Sequence, residues 1–227
     1  DMLLDEFIEQ WQREGGDSTT PRLYLKDWHF QRSFPHEPLY TPAALFQDDW
    51  LNRFWDWRED VDDDYRFVYM GGDGSWTPLH VDVFQSYSWS ANICGRKRWT
   101  LFPPSEKKHL IDGHGELIPD IRCVDPRRFP TFHQAAAIVF IQEPGETFFV
   151  PTGWYHQVEN IGHTISINHN WLNAVNLWAL YACLQTDLEQ VRHALRDCTD
   201  MDDFEGHCQV ILRASSAWNY EDFAQML

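Results

Sequence analysis

The hydrophobic positions at the start of the chain recur with a helical period. Within residues 2–13 the apolar side chains fall three and four positions apart, and Gly15-Gly16 follow them. This pattern predicts an amphipathic helix that ends at the glycines. After the turn, the stretch RLYLK at residues 22–26 predicts a short strand.

A second helical pattern follows a typical helix start. Thr41 and Pro42 have the form of an N-cap with proline at the first helical position. The predicted helix would carry its apolar side chains at Ala43, Phe46, Trp50 and Phe54. The acidic run at residues 59–64 predicts a solvated loop that ends this helix.

From Tyr65 the chain consists of short stretches rich in β-branched and aromatic residues. These stretches are YRFVYM, HVDVF, SYSWSANIC, KRWTLF, AAAIVFIQ, ETFFVP, YHQVENI and HTISINHNW. Glycine and proline separate several of them, at Gly71-Gly72, Gly95, Pro103-Pro104, Pro144-Gly145 and Pro151-Thr-Gly153. The pattern predicts an antiparallel sandwich or barrel.

A helical period returns after Trp171. Apolar residues from Leu172 to Val191 lie on one side of a predicted helix, and further helices are predicted at a Thr199 cap and near Asn219. No window is apolar for long enough to span a bilayer. We therefore expect no membrane association.

The amino-acid composition limits the classes of molecule that we expect the protein to bind. The formal net charge is -17, with 35 acidic against 18 basic side chains, so we expect no direct contact with nucleic acid. A basic protein or peptide is the more natural partner, although a strongly acidic surface also serves solubility alone. The 5 cysteines form no paired motif and no secretory signal is visible, which favours a reducing compartment.

The β region contains candidate metal ligands. On a strand, His80 and Asp82 would face the same side and supply one imidazole and one carboxylate of a two-histidine, one-carboxylate iron(II) site. Alone, a His-x-Asp pair is more often an ordinary polar pair on a surface, so a third ligand is needed to indicate a metal site. His156, after the turn PTGWY, is the candidate third ligand, and His169 competes with it but lies on the strand face opposite Asn168 and Asn170.

Lys97 is a candidate anion-binding residue. It follows the His80 motif on the next predicted strand, and a lysine buried in a small barrel is costly unless it meets an anion. The alternative is that Lys97 is one of three exposed bases in Arg96-Lys97-Arg98. Beside the three metal ligands, Lys97 suggests binding of a dicarboxylic cosubstrate.

Together these motifs resemble the JmjC family of iron(II)- and 2-oxoglutarate-dependent oxygenases. The resemblance runs through RLYLKDWH (22–29), TPLHVD (77–82), GRKRWTLFPP (95–104), EPGETFFVPTGWYH (143–156) and TISINHNW (164–171). It implies a mainly β fold with flanking helices: a double-stranded β-helix, or cupin-like jelly-roll barrel. The implied parts are N-terminal helices and a strand at 1–64, the barrel at 65–171 and a helical extension at 172–227.

The resemblance also implies roles for individual residues. His80, Asp82 and His156 would hold Fe(II) and form the catalytic centre. Lys97 would bind the distal carboxylate of 2-oxoglutarate. The other implied cosubstrate residues are Tyr24, Thr77, Asn168 and Asn170, together with either Ser90 or Asn92, between which the sequence does not choose.

Within the family the motifs look most like a lysyl hydroxylase that acts on the eukaryotic translation termination factor. The implied reaction consumes 2-oxoglutarate and O2 and releases succinate and CO2. The alternatives are demethylation of N-methyl-lysine or N-methyl-arginine, or a non-catalytic cupin binding module. We expect a cytoplasmic protein, with the nucleus as a second location, and a homodimer through the C-terminal helices is a further expectation.

Overall fold

Two long antiparallel strands run through the centre of the fold. They are β4 (Tyr87–Phe102) and β7 (Tyr155–Trp171), and each continues where the sequence pattern predicts two strands. Gly95 does not break β4, because its φ of +67° places it in a bulge where the strand bends and stays paired with β7 on both sides. The computed structural model describes residues 2–13, 22–37 and 39–227.

The bend divides the central pair into two halves with different neighbours. The additional strands are β1 (Tyr24–Trp28), β2 (Arg66–Gly71), β3 (Trp76–His80), β5 (Ile138–Gln142) and β6 (Thr147–Val150). In one half the strand order is β1–β2–β7–β4–β6, and in the other it is β3–β7–β4–β5, with every pairing antiparallel. This confirms the predicted jelly-roll barrel.

Helices lie before, between and after the strands of the barrel along the chain. The described helices are α1 (Leu4–Arg13), α2 (Phe30–Ser33), α3 (Trp50–Trp57), α4 (Lys107–Leu110), α5 (Leu177–Ala194), α6 (Phe204–Ser216) and α7 (Tyr220–Met226). Helix α1 begins as predicted, and its predicted end at Gly15-Gly16 lies outside the described residues. None of the helices in the described part of the chain is long and apolar enough to cross a bilayer.

The helix predicted from Thr41 begins later than the sequence suggests. Residues 44–46 form a single 3-10 turn, and α3 starts at Trp50, where the Asp49 side chain caps the helix by accepting a hydrogen bond from Asn52 N at 2.9 Å. The ring of Phe46 stacks on Trp89 of the barrel at 5.5 Å. This contact lays the preceding segment across the sheet, so tertiary packing overrides the local helix signal.

The C-terminal helices also differ at their starts. Helix α5 begins at Leu177 instead of Leu172, because the Asn176 side chain accepts from Asn173 N at 2.9 Å and closes a turn first. Helix α6 begins at Phe204 with Asp203 as its N-cap, so Thr199 is not the cap. The helix start near Asn219 is confirmed, and Asn219 forms a reciprocal capping box with Asp222.

The helices share one apolar core. Side chains of α3, α5 and α6 pack around Trp218, which is fully buried and stacks on Phe54 at 5.0 Å.

The acidic run before β2 is not the solvated loop that the sequence predicts. Its last residue, Asp64, is fully buried, and its carboxylate forms hydrogen bonds with His29 Nδ1 at 2.7 Å and with Arg66 Nη1 at 3.2 Å. The division of the chain at residues 64 and 171 stays a prediction.

Substitution of Gly95 and Gly162 should separate the cost of a positive φ from the cost of crowding around an added Cβ. Gly95→Ala places a Cβ 2.2 Å from the carbonyl oxygen of His163 and keeps a positive φ, whereas Gly162 has φ +73° in open space. We expect Gly162→Ala to lower the free energy of unfolding by about 1–2 kcal/mol, and Gly95→Ala to lower it by more. Gly113→Ala, at an uncrowded glycine, is the control, and urea denaturation measures all three. Equal losses at positions 95 and 162 would contradict the crowding at the bulge.

Candidate metal centre

Two histidines face each other across neighbouring strands. His80 of β3 and His156 of β7 are direct cross-strand partners, and their ring centroids are 4.1 Å apart. Side chains at directly opposed positions of an antiparallel pair share one face of the sheet. The strand pairing therefore brings the two imidazoles together inside the barrel.

Asp82 joins them from a turn, not from a strand as the sequence pattern predicts. Strand β3 ends at His80, and Asp82 precedes a 3-10 turn at Val83–Gln85. Its Oδ2 accepts a hydrogen bond from Ser88 Oγ at 2.6 Å. The ligand atoms of His80, Asp82 and His156 all lie within 4.8 Å of one another. The three predicted ligands therefore converge on one point.

The hydrogen bonds of the histidines fit a metal ion. Nδ1 of His80 lies 2.8 Å from Pro78 O and Nδ1 of His156 lies 3.3 Å from Trp154 O, so each Nδ1 donates to a carbonyl. This leaves the Nε2 lone pair of each ring free for a ligand bond. Burial, and secondarily the neighbouring His80, lower the pKa of His156 to about 4, against the opposing effect of Asp82. The imidazole is neutral at neutral pH, which is the form that binds metals.

Lys97 lies in the same cavity and lacks a counter-charge. Its side chain is buried, and Nζ donates to Ser166 Oγ at 2.6 Å. Among the residues that the structure describes, no carboxylate pairs with it, and burial lowers its pKa to about 7. A buried, unpaired ammonium is costly unless an anion reaches it. Lys97 is therefore buried, as predicted for an anion-binding lysine, and its role in anion binding stays a prediction.

Most other predicted site residues line this inner cavity. Tyr24, Thr77, Asn168 and Asn170 contribute to its wall together with the three candidate ligands and Lys97. Burial raises the pKa of the Tyr24 hydroxyl, and hydrogen bonds with Thr77 and Asn160 partly offset this effect. The two halves of the bent sheet thus both supply polar groups to one cavity.

Ser90 and Asn92 lie behind the cavity wall. Ser90 Oγ donates to Asn168 Oδ1 at 3.0 Å, so it contacts a lining residue. Asn92 Nδ2 instead donates to Gly95 O at 2.8 Å, at the bulge of β4. Neither side chain is among the lining residues.

The competing histidine lies on the other face of the sheet. His169 Nε2 is 2.6 Å from the Tyr40 hydroxyl, and its ring lies 4.2 Å from Trp89. Strand alternation along β7 therefore separates it from Asn168 and Asn170, as predicted.

Several lining or contacting residues were not predicted. Ser88 bonds the Asp82 carboxylate, Ser166 accepts from Lys97, and Tyr69 lies with its ring centroid 5.7 Å from Lys97 Nζ. On β7, Ser166 lies an even number of positions from Asn168 and Asn170 and therefore faces the same side of the sheet. On β4, Ser88 faces the same side as Ser90 for the same reason. Alternation along β4 and β7 could have indicated both serines.

An outer cleft of about 440 Å³ opens over the candidate ligands His80 and Asp82. One wall is an aromatic stripe of Tyr65, Phe67 and Tyr69, whose successive ring centroids are 6.3 and 6.2 Å apart. At its edge Asp27, with φ +53°, sits at a bulge of β1, and its carboxylate accepts from the Tyr69 hydroxyl at 2.6 Å. The approach to the site thus combines aromatic faces with an exposed carboxylate.

The bent antiparallel barrel and its inward-facing ligand set define the cupin class of protein. A family model described as a cupin-like domain matches residues 1–176, and the chain belongs to this family. The family membership predicted from the motifs is therefore confirmed.

Similar proteins include oxygenases and a demethylase. The chain is 48% identical over its whole length to "2-oxoglutarate and iron-dependent oxygenase JMJD4" of Danio rerio, covering 55% of that protein. It is 47% identical, again over its whole length, to the Homo sapiens protein of the same name and covers 56% of it. Over 98% of the chain it is 46% identical to "Arginine-specific demethylase JMJ20" of Arabidopsis thaliana, of which it covers 52%. The chain thus spans about half the length of these relatives.

The buried lysine should make stability depend on pH. The folded-state pKa of Lys97, about 7, is below the ordinary value of 10.5, so between these values the unfolded chain binds a proton that the folded chain does not. The free energy of unfolding should therefore rise with pH across this range. Without an added anion, Lys97→Met should be more stable than the original protein at pH 7, with the difference shrinking towards pH 10. Chemical denaturation across pH measures this, and Lys108→Met, at an exposed lysine, is the control. Parallel pH profiles for the original protein and Lys97→Met would contradict the prediction.

Proposed function

We propose that the protein is an Fe(II)- and 2-oxoglutarate-dependent protein hydroxylase. One observation carries the proposal: a convergent set of two histidines and one carboxylate shares a small cavity with a buried lysine that forms no ion pair with any described residue. A two-histidine, one-carboxylate face is the usual ligand set of non-haem iron(II) oxygenases. The names of the JMJD4 relatives, which describe iron and 2-oxoglutarate dependence, support the same assignment.

The proposed iron ligands are Nε2 of His80, Nε2 of His156 and the Asp82 carboxylate, and these residues form the catalytic centre. The carbonyls of Pro78 and Trp154 fix the ring orientations by accepting from Nδ1. Ser88 fixes the carboxylate by donating to Oδ2. Hydrogen bonds of this kind orient ligands and hold the tautomer that binds metal.

The proposed cosubstrate residues surround Lys97. The ammonium would bind the distal carboxylate of 2-oxoglutarate, with Tyr24 and Thr77 sharing it from the cavity wall. Asn168 and Asn170 would contact the cosubstrate on the metal side. Because Ser90 donates to Asn168, we propose that Ser90, and not Asn92, orients this end.

Iron and 2-oxoglutarate, when bound, would supply the oxidising chemistry that inserts one atom of O2 into a C–H bond, with succinate and CO2 as co-products. The chain supplies binding and orientation and excludes water from the inner cavity. Buried Trp99 and Val158 close part of that cavity beside His156. The substrate would enter through the outer cleft, which shares Tyr69, Thr77, His80 and Asp82 with the cavity.

The outer cleft supports a cationic substrate side chain. An aromatic stripe and an exposed carboxylate are suited to the aliphatic stem and charged head of lysine or arginine. We propose a lysine of a translation termination factor as the substrate, hydroxylated on a side-chain carbon. The second candidate is arginine demethylation, which the name of the JMJ20 relative favours.

Exposed aromatic residues, free cysteines and the net charge support proposals on the assembly, location and partners of the protein. Helix α5 exposes Trp178 and Tyr181, at 67% and 41%, which supports a homodimer through the C-terminal helices. All five cysteines are free, which supports a reducing compartment such as the cytoplasm or the nucleus. The net charge of -17 supports a basic protein partner and argues against direct nucleic-acid contact.

Loss of a metal ligand should abolish turnover. We expect His80→Ala and Asp82→Ala to stop substrate-dependent succinate formation, because neither variant retains the complete ligand set. His193→Ala, at an exposed histidine of α5, is the control. Mass spectrometry of basic protein substrates should show a gain of one oxygen, whereas loss of a methylene would identify demethylation. Full activity of His80→Ala with iron chelated would refute the proposed function.

Asp27 should contribute to substrate binding more than to chemistry. Asp27→Asn removes the exposed charge at the cleft edge while keeping its size. We expect the KM for a lysine-containing peptide to rise up to about fivefold, with kcat little changed, as for a partly solvated charge pair. Asp197→Asn makes the same change at an exposed position on the 3-10 turn Arg196–Cys198 and is the control. An unchanged KM in Asp27→Asn would exclude this contact.

A further inference from the structure

The turn that follows Asp82 has an unusual backbone. Phe84 and Gln85 are consecutive non-glycine residues with φ of 58° and 55°. Side chains other than glycine rarely adopt this left-handed conformation, because Cβ approaches the following carbonyl. Such a backbone persists only where the surrounding structure holds it. The candidate ligand Asp82 therefore adjoins a segment that needs support.

Aromatic packing supplies that support. The Phe84 ring lies edge-on to Tyr65 at 5.2 Å and edge-on to Trp218 at 5.7 Å. Trp218 is fully buried and belongs to the core formed by α3, α5 and α6. The anchor of the turn therefore comes largely from the C-terminal helical segment, outside the barrel.

Backbone hydrogen bonds connect the turn that carries Phe84 to the backbone of Asp82. Gln85 N donates to Asp82 O at 3.2 Å, and Ser86 N donates to Val83 O at 2.9 Å, so the segment forms one closed turn. At its far end Ser86 Oγ accepts from Asn170 Nδ2 at 3.1 Å. A rotation of the turn that released Phe84 would also turn Asp82 away from the two histidines.

We propose that Phe84 is a positioning residue for the metal centre, through which the C-terminal helical segment sets the orientation of Asp82. The proposal rests on the proposed function, because it assumes that Asp82 is a ligand. Phe84 is not among the residues that line the inner cavity. Its contribution is to hold a strained turn in the one conformation that completes the ligand set.

The test measures Mn²⁺ binding by titration calorimetry in the full chain, without cosubstrate or turnover. We expect Phe84→Ala to weaken Mn²⁺ binding by about tenfold or more, the range seen when residues that orient metal ligands are changed. Phe84→Leu keeps part of the packing and should give an intermediate Kd. Circular dichroism verifies that each variant is folded at the temperature of the titration.

Phe223→Ala is the matched control. Phe223 is also a half-buried phenylalanine packed on the same helical core, and its ring contacts Tyr181 at 5.6 Å, not the turn. It should lower thermal stability as Phe84→Ala does and leave Mn²⁺ affinity unchanged. Equal weakening by both variants would overturn the proposal, because general destabilisation would then explain it.

Two further outcomes separate this proposal from the proposed function. If the original protein binds no Mn²⁺, the metal centre itself is refuted. If it binds Mn²⁺ and loses binding in Asp82→Ala, but Phe84→Ala binds with the original affinity, only the positioning role is refuted. Where Phe84→Ala does not fold, a folded Phe84→Leu with the original affinity refutes it equally.

Discussion

The antiparallel pairing of β4 with β7 is the constraint on which the rest of the structure depends. The two strands pair from Tyr87–Trp171 at one end to Phe102–Tyr155 at the other, across a bend at Gly95. Because the bend turns one ladder into two half-sheets, residues far apart along the same strand face a common interior. His156 and Asn168 of β7 reach the cavity in this way, one from each half. Without the positive φ of the glycine, the halves could not close on each other.

The cavity holds charged groups whose burial costs free energy unless each group is paired with a ligand of opposite charge. The cavity contains one buried ammonium and a carboxylate with an adjacent neutral imidazole, while the molecule as a whole carries -17. A divalent cation beside Asp82 and a dianion beside Lys97 would give each charged group a partner of opposite charge. The same low-dielectric surroundings that depress the pKa of Lys97 would strengthen its contact with an anion. Metal and anion binding are therefore expected to stabilise the fold, since neither ligand would find a formed site in the unfolded chain.

The sequence predicts the chemistry of the site better than its local geometry. His80, Asp82, His156 and Lys97 stand out as residue types that a barrel interior does not otherwise favour, and the structure brings them together. The prediction that Asp82 lies on a strand was wrong, because strand alternation does not reveal that β3 ends at His80. The predicted helix start at Thr41 was wrong for a similar reason, since the packing of Phe46 on Trp89 is a long-range contact. Local patterns cannot register contacts that form only when distant segments meet.

Energies of the turn after Asp82 indicate why the helical segment matters to the barrel. Two non-glycine residues in the left-handed region cost about 1–2 kcal/mol each. Burying a phenylalanine side chain returns about 1.5–3 kcal/mol, and an edge-on aromatic pair adds about 0.5–1.5 kcal/mol. Phe84 is only half-buried and has two such pairs, so the opposing contributions nearly balance. A turn so close to balance depends on both of its aromatic contacts, and through Trp218 the helical core thereby contributes to the surroundings of the candidate ligand Asp82.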